Sequence, residues 1–132
     1  MILAGGIGTG QDALQDVWSL NILSSNVEGQ SPNYEWTELT SEAGFGYRFG
    51  AAMWNINDHL YFGSGEFAGS VYNDVWTSPD YGVTWTLVSG AANFVARIST
   101  MTVVNGRRVV LAGGLTTSSL VPKDDVWIGF SN

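Results

Sequence analysis

A tripeptide that occurs three times constrains this chain more than any other feature. Asp16-Val17-Trp18, Asp74-Val75-Trp76 and Asp125-Val126-Trp127 are spaced 58 and 51 residues apart. Each follows an apolar run closed by glycine: Ile2-Leu3-Ala4-Gly5-Gly6, Tyr61-Phe62-Gly63-Ser64-Gly65 and Val110-Leu111-Ala112-Gly113-Gly114. The last glycine and the aspartate stay 9 to 11 residues apart. Self-similarity at this period is the signature of a repeat architecture, in which each unit buries its apolar face against the next.

The surrounding residues repeat as well. Trp36-Thr37-Glu38-Leu39 and Trp85-Thr86-Leu87-Val88 follow the first two tripeptides, and Arg48 and Arg97 lie 49 residues apart, so that residues 48–65 and 97–114 align without a gap. Gly50–Ile56 and Ile98–Val104 are short apolar runs of strand length. Each passes through a turn, Asn57-Asp58 or Asn105-Gly106, into the strand that ends in the glycines. Asn-Gly between apolar runs marks a hairpin because both residues tolerate positive φ. The tripeptide opens a third strand and the Trp-Thr segment a fourth. No segment sustains a 3.6-residue apolar period between caps, so no long helix is expected.

Four antiparallel strands per roughly 50 residues is the pattern of a β-propeller blade. The chain resembles the Kelch repeat, including that of the galactose-oxidase central domain: an Arg before the first strand, paired glycines ending the second, Asp-Val-Trp in the third, Trp-Thr opening the fourth. The expected fold is therefore all-β, with about two and a half to three blades. Strands two to four of a first blade occupy residues 1–40, a complete second blade 46–90, and strands one to three of a third 96–130. Two departures are Gly-Ser-Gly at residues 63–65 and a long insertion, Leu23–Tyr34, before Trp36. Met1 aligns with Val109, inside a strand. The remaining blades are accordingly expected from a longer chain or from another copy.

Within this frame the motif residues have structural roles. Gly5, Gly6, Gly65, Gly113 and Gly114 suit a place where the chain turns sharply and backbone comes close. Gly5-Gly6-Ile7-Gly8-Thr9-Gly10 is glycine-rich, but no Lys-Ser/Thr follows and no helix opens there, so it does not read as a phosphate loop. Asp16, Asp74 and Asp125 are expected to accept hydrogen bonds from adjoining loops, since one copy per unit suits an anchor better than a metal site. Trp18, Trp76 and Trp127 are expected between blades. Ser78-Pro79-Asp80-Tyr81-Gly82-Val83-Thr84-Trp85 matches the S-x-D-x-G-x-T-W Asp-box and resembles the turn between the third and fourth strands of sialidase-type blades. That resemblance implies a folding element away from catalysis. Asp80 and Ser78 would bond the turn backbone, Gly82 would take a left-handed conformation, and Trp85 would anchor the turn.

Composition narrows the function. With 12 acidic and five basic residues the net charge is −7, which disfavours nucleic acid and anionic membrane surfaces. Arg107-Arg108, the only adjacent basic pair, reads as a hairpin flank. No apolar stretch approaches the roughly 20 residues of a membrane helix, and Met1–Gly6 lacks the basic start of a signal peptide. With no Cys and one His, His59, the chain cannot supply the Tyr–Cys crosslink and paired His ligands of a galactose-oxidase copper site. Sialidase chemistry needs an arginine triad with a Tyr/Glu pair, and only Arg48 and Arg97 stand at suitable strand starts. No cofactor, metal or catalytic residue is expected.

Arg48 and Arg97 are the candidate binding residues. By resemblance they sit where an Arg lines the ligand face of some Kelch domains, and a guanidinium fork there would recognise a carboxylate. Alternatively, each caps its blade by bonding loop carbonyls. The connections Ile7–Gln15, Glu66–Asn73 and Leu115–Lys123 open on one face in Kelch propellers and differ in sequence, as a recognition surface on a rigid scaffold does. The leading expectation is a non-catalytic interaction module that binds protein or carbohydrate through these loops, extracellular or at a cell surface, with a cytoplasmic location as the alternative. The other expectations are a segment of a carbohydrate-active propeller enzyme whose site lies in further blades, and a structural module of a filament or coat.

Overall fold

The computed structural model describes residues 1–23, 33–116 and 121–130. The insertion before Trp36 and part of the third connection lie mostly outside the described residues. The protein is all-β, and the described residues contain no helix.

Three antiparallel sheets follow one another along the chain. The first contains β1 (Ile2–Ile7), β2 (Ala13–Leu23) and β3 (Asn33–Thr40), in that order. The second contains β4 (Ala52–Ile56) and β5 (His59–Gly63), and then, beyond a two-residue ribbon of β6 (Glu66–Phe67) and β7 (Ser70–Val71), β8 (Val75–Ser78) and β9 (Thr86–Ser89). Its order is β4-β5-β8-β9. The third contains β10 (Met101–Asn105), β11 (Arg108–Ala112) and β14 (Val126–Phe130), in the order β10-β11-β14, with a separate two-stranded ribbon of β12 (Leu115–Thr116) and β13 (Val121–Pro122) between β11 and β14 in the chain.

β4 and β10 are shorter than the apolar runs Gly50–Ile56 and Ile98–Val104 suggest. Gly50 and Ser99, 49 residues apart, both have positive φ, 64° and 55°. This left-handed kink interrupts the strand direction and leaves only isolated bridges at Phe49 and Ile98. The kinks also touch, because Ser99 N–H donates to the Gly50 carbonyl at 2.8 Å. The first hairpin turns at Asn57 and Asp58, with φ 52° and 61°, the signs of a type I′ turn. The second turns one residue later than Asn-Gly implies. Asn105 pairs with Arg108, so Gly106 (φ 60°) and Arg107 are the central residues, the arrangement of a II′ turn.

The two outer pairings carry a β-bulge at the same place. Val17 faces Thr40 and Trp18 faces Glu38; Val75 faces Ser89 and Trp76 faces Leu87. The extra residues are Leu39 and Val88. Leu39 packs on the main core, which lies between the first and second sheets around Val17, Ala43, Phe45 and Phe62. Phe45 stacks on Phe62 at 4.0 Å, and Trp85 meets both edge-on at 5.2 and 5.9 Å. Each of these side chains stabilises the joint by about 1.5–3 kcal/mol when fully buried.

The joints between sheets are copies of one another. Arg48 N–H donates to the Leu14 carbonyl (3.1 Å), Gly6 N–H to the Arg48 carbonyl (2.9 Å) and Ala43 N–H to the Gln15 carbonyl (3.1 Å). At the second joint, Arg97 N–H donates to Tyr72 (3.1 Å), Gly65 N–H to Arg97 (2.9 Å) and Ala92 N–H to Asn73 (2.8 Å). This explains the second glycine of each pair. It has positive φ at Gly6, Gly65 and Gly114. At Gly114 an added Cβ would stand 2.6 Å from the Ile98 carbonyl oxygen.

Candidate functional site

The two arginines stand where the sequence places them, ahead of β4 and β10, but their guanidinium groups are closed off. Arg48 is 3% exposed and Arg97 is 0% exposed. Arg48 holds Asp74 through two bonds of 2.6 and 3.0 Å and donates to the carbonyls of Ser64 (3.1 Å) and Phe45. Its guanidinium lies 4.2 Å from the centre of the Tyr72 ring. Arg97 holds Asp125 at 2.5 and 2.7 Å and donates to the carbonyls of Gly113 (2.8 Å) and Val95 (2.8 Å). The fork that could recognise an external carboxylate is thus occupied by a carboxylate of the same sheet.

The aspartates have a second duty. The indole N–H of Trp18, Trp76 and Trp127 donates to the carboxylate two residues earlier, at 2.7, 2.7 and 2.8 Å. At Asp74 and Asp125, arginine, aspartate and tryptophan therefore form one chain of bonds that ties the strand start to the glycine turn. Hydrogen bonds from Arg97, and then from Trp127, hold the Asp125 carboxyl far below the ordinary carboxylate value.

The turn between β8 and β9 is a closed network. Ser78 Oγ donates to Asp80 (2.8 Å) and accepts from Gly82 N–H (2.7 Å), while Asp80 accepts from Thr84 N–H (2.8 Å) and Thr84 Oγ1 (2.6 Å). Trp85 Nε1 donates to the Gly82 carbonyl at 3.1 Å. The left-handed turn extends over two residues, Tyr81 (φ 58°) and Gly82 (φ 107°), rather than Gly82 alone. An added Cβ at Gly82 would stand 3.0 Å from Val17 of the first sheet, so this turn packs across the joint. The Thr84 bonds, ahead of that from Ser78, lower the Asp80 pKa below 3.8.

With the motif residues committed to the frame, the open chemistry lies on the connections beside them. In the first connection β1 continues into the turn, with Ile7 facing Ala13. In the second, Glu66 faces Val71; in the third, Leu115 faces Pro122. The β6–β7 tip turns through Ala68 (φ 50°) and Gly69 (φ 80°) and presents Phe67. Tyr47, just before the doubly bonded Arg48 backbone, lies against it, with ring centres 5.7 Å apart and planes tilted by 33°. Tyr47 is 48% exposed and Phe67 40%. Their rings could stack on a sugar or accept an apolar side chain. Neither residue belongs to a repeated motif. The signal available was the repeat itself, since Ala96 stands 49 residues after Tyr47 and satisfies the same frame position.

His59 is exposed at the opposite strand ends, with Nδ1 3.0 Å from the Asn57 carbonyl. Among the described residues no three His, Cys, Asp or Glu side chains group as metal ligands, and no helix is long and apolar enough to cross a membrane. No protein-family model matches this chain, and no curated protein matches it.

Proposed function

We propose that the chain is a non-catalytic recognition module of the Kelch-type β-propeller class, with its sheets acting as blades and its contact surface on the connections between second and third strands. The observation that carries this reading is the exposed Tyr47–Phe67 pair set on a backbone fixed in both directions at Arg48. Exposed aromatic side chains on a rigid support offer large contact area at low entropic cost. The partner is a protein or carbohydrate surface without strong negative charge, given the net charge of −7. The sparse charge and the Asp-box-like turn favour an extracellular or cell-surface setting. Arg48 and Arg97 support the surface rather than touch the partner.

The test is binding by the biotinylated chain to a glycan microarray and to a peptide-display library. Ligands that depend on the proposed surface bind at least about tenfold more weakly to Tyr47→Ala and Phe67→Ala and normally to Val103→Ser. Ligands insensitive to both aromatic substitutions would contradict the reading.

A further inference from the structure

The charges are divided unequally between the two ends of the strands. Residues 7–15, 41–50 and 66–73 together hold three acidic side chains, Asp12, Glu42 and Glu66, and one basic side chain, Arg48. Arg48 is already bonded to Asp74. Asp12 and Glu42 are exposed and Glu66 is half-buried. The other basic residues lie elsewhere. Arg97 is held by Asp125, Arg107 and Arg108 stand at the opposite strand ends, and Lys123 is followed by Asp124 in the third connection.

Backbone bonds bring the three acidic residues to the segment that carries Tyr47 and Phe67. The Leu14 carbonyl accepts from Arg48 N–H at 3.1 Å, which sets the return of the first connection, just past Asp12, beside Tyr47. Gly46 N–H donates to the Ala43 carbonyl at 3.0 Å and closes the turn between Glu42 and Tyr47. Glu66 exchanges two bonds with Phe49, at 2.9 and 3.1 Å, and Phe67 follows it directly. The exposed ring pair thus stands in a local excess of negative charge. Such a field attracts a cation and repels an acid, and it gives a neutral sugar no advantage.

The chain itself shows how rings and carboxylates hold a guanidinium. Arg48 lies 4.2 Å from the Tyr72 ring centre while Asp74 takes its fork, and Arg97 lies 5.9 Å from the Phe94 ring centre while Asp125 takes its fork. A guanidinium suits this combination because it is planar, weakly hydrated and permanently charged.

We infer that the Tyr47–Phe67 pair, with Asp12, Glu42 and Glu66 around it, is a docking site for an arginine side chain of a partner protein. The guanidinium stacks on the exposed rings, and the carboxylates supply attraction and exclude acidic partners. This inference rests on the proposed recognition surface and names the chemistry of its partner.

The probe is a fluorescein-labelled peptide of alternating glycine and arginine, titrated into the intact chain and followed by anisotropy. Two matched peptides carry citrulline, which keeps the shape without the charge, or lysine, which keeps the charge without the plane. Saturable binding of the arginine peptide is expected, weakening as salt rises from about 0.05 to about 0.5 M. The citrulline peptide is expected to bind at least about tenfold more weakly, and the lysine peptide at least about threefold. Tyr47→Ala and Phe67→Ala are each expected to weaken the arginine peptide at least about fivefold, and Glu42→Gln and Glu66→Gln to flatten the salt dependence. Absence of saturable binding up to about 1 mM would overturn the inference, as would equal binding of the citrulline or lysine peptide. So would arginine-peptide binding unmoved by either aromatic substitution, which would mean attraction to the acidic chain as a whole. Neutral peptides or glycans that depend on Tyr47 and Phe67, with no response to the arginine peptide, would overturn this inference and leave the recognition surface standing. Ligands of every kind indifferent to both aromatic substitutions would overturn both.

Discussion

Arg48 and Asp74 are joined by two bonds, 2.6 and 3.0 Å long, with the arginine buried and the carboxylate also held by the Trp76 indole. Removing one partner strands the other charge in a nearly closed site. Arg48→Ala and Asp74→Asn are each expected to destabilise the chain by about 3–5 kcal/mol. Arg48→Lys, which keeps the charge but loses the fork, is expected to recover only part of this. Urea unfolding of the three variants measures these differences.

Ser64 occupies a glycine position. Gly5 and Gly113 have φ of 59° and 63°, and Ser64 adopts the same value, 63°, with its Oγ buried and unbonded. A left-handed L-residue costs roughly 1–2 kcal/mol, and glycine returns part of this gain through its greater freedom in the unfolded chain. Ser64→Gly is expected to stabilise by about 1 kcal/mol, read as a raised urea midpoint with unchanged slope.

Gly114 presents the opposite case. Its φ is 96°, and an added Cβ would meet the Ile98 carbonyl at 2.6 Å and Thr100 at 2.9 Å. Gly114→Ala is expected to lower stability by at least about 1–3 kcal/mol. Gly106→Ala serves as the comparison, since its turn is open around the Cβ position and only the φ of 60° is strained. Thermal melts of the pair separate contact from conformation.

Asp80 and Asp125 both have pKa values lowered by hydrogen bonds. A carboxylate whose folded value is depressed binds protons more readily when unfolded. Its contribution is therefore complete above the ordinary value of 3.8 and is lost as pH falls through the lowered one. The melting-temperature difference between the parent and Asp80→Asn is expected to be constant above about pH 5 and to narrow below about pH 4. A difference that grows on acidification would assign the stabilising form to the protonated acid.

The order of strands was legible in the sequence because the Asp-Val-Trp, glycine and arginine positions all serve the same joint. Trp76, Asp74, Arg48 and Gly65 each meet a partner that is itself part of the pattern. The site was less legible for the same reason. An Arg at a strand start can hold a ligand's carboxylate or one from its own sheet, and the choice depends on the position of an aspartate 26 residues away. Tyr47 and Phe67 carry no motif because the frame does not need them. Gly50 and Ser99 show the limit for strand ends: Ser99 kinks as the glycine does, although its residue type gives no sign of positive φ.

The most direct test of the recognition surface is amide hydrogen exchange of the chain with and without a captured ligand. Slowed exchange is expected at residues 44–47 and 66–72, around Tyr47 and Phe67, with β14 and the far turns unchanged. Protection at Asn57–His59, Asp80–Thr84 and Gly106–Arg108 instead would place recognition on the opposite strand ends and contradict the assignment.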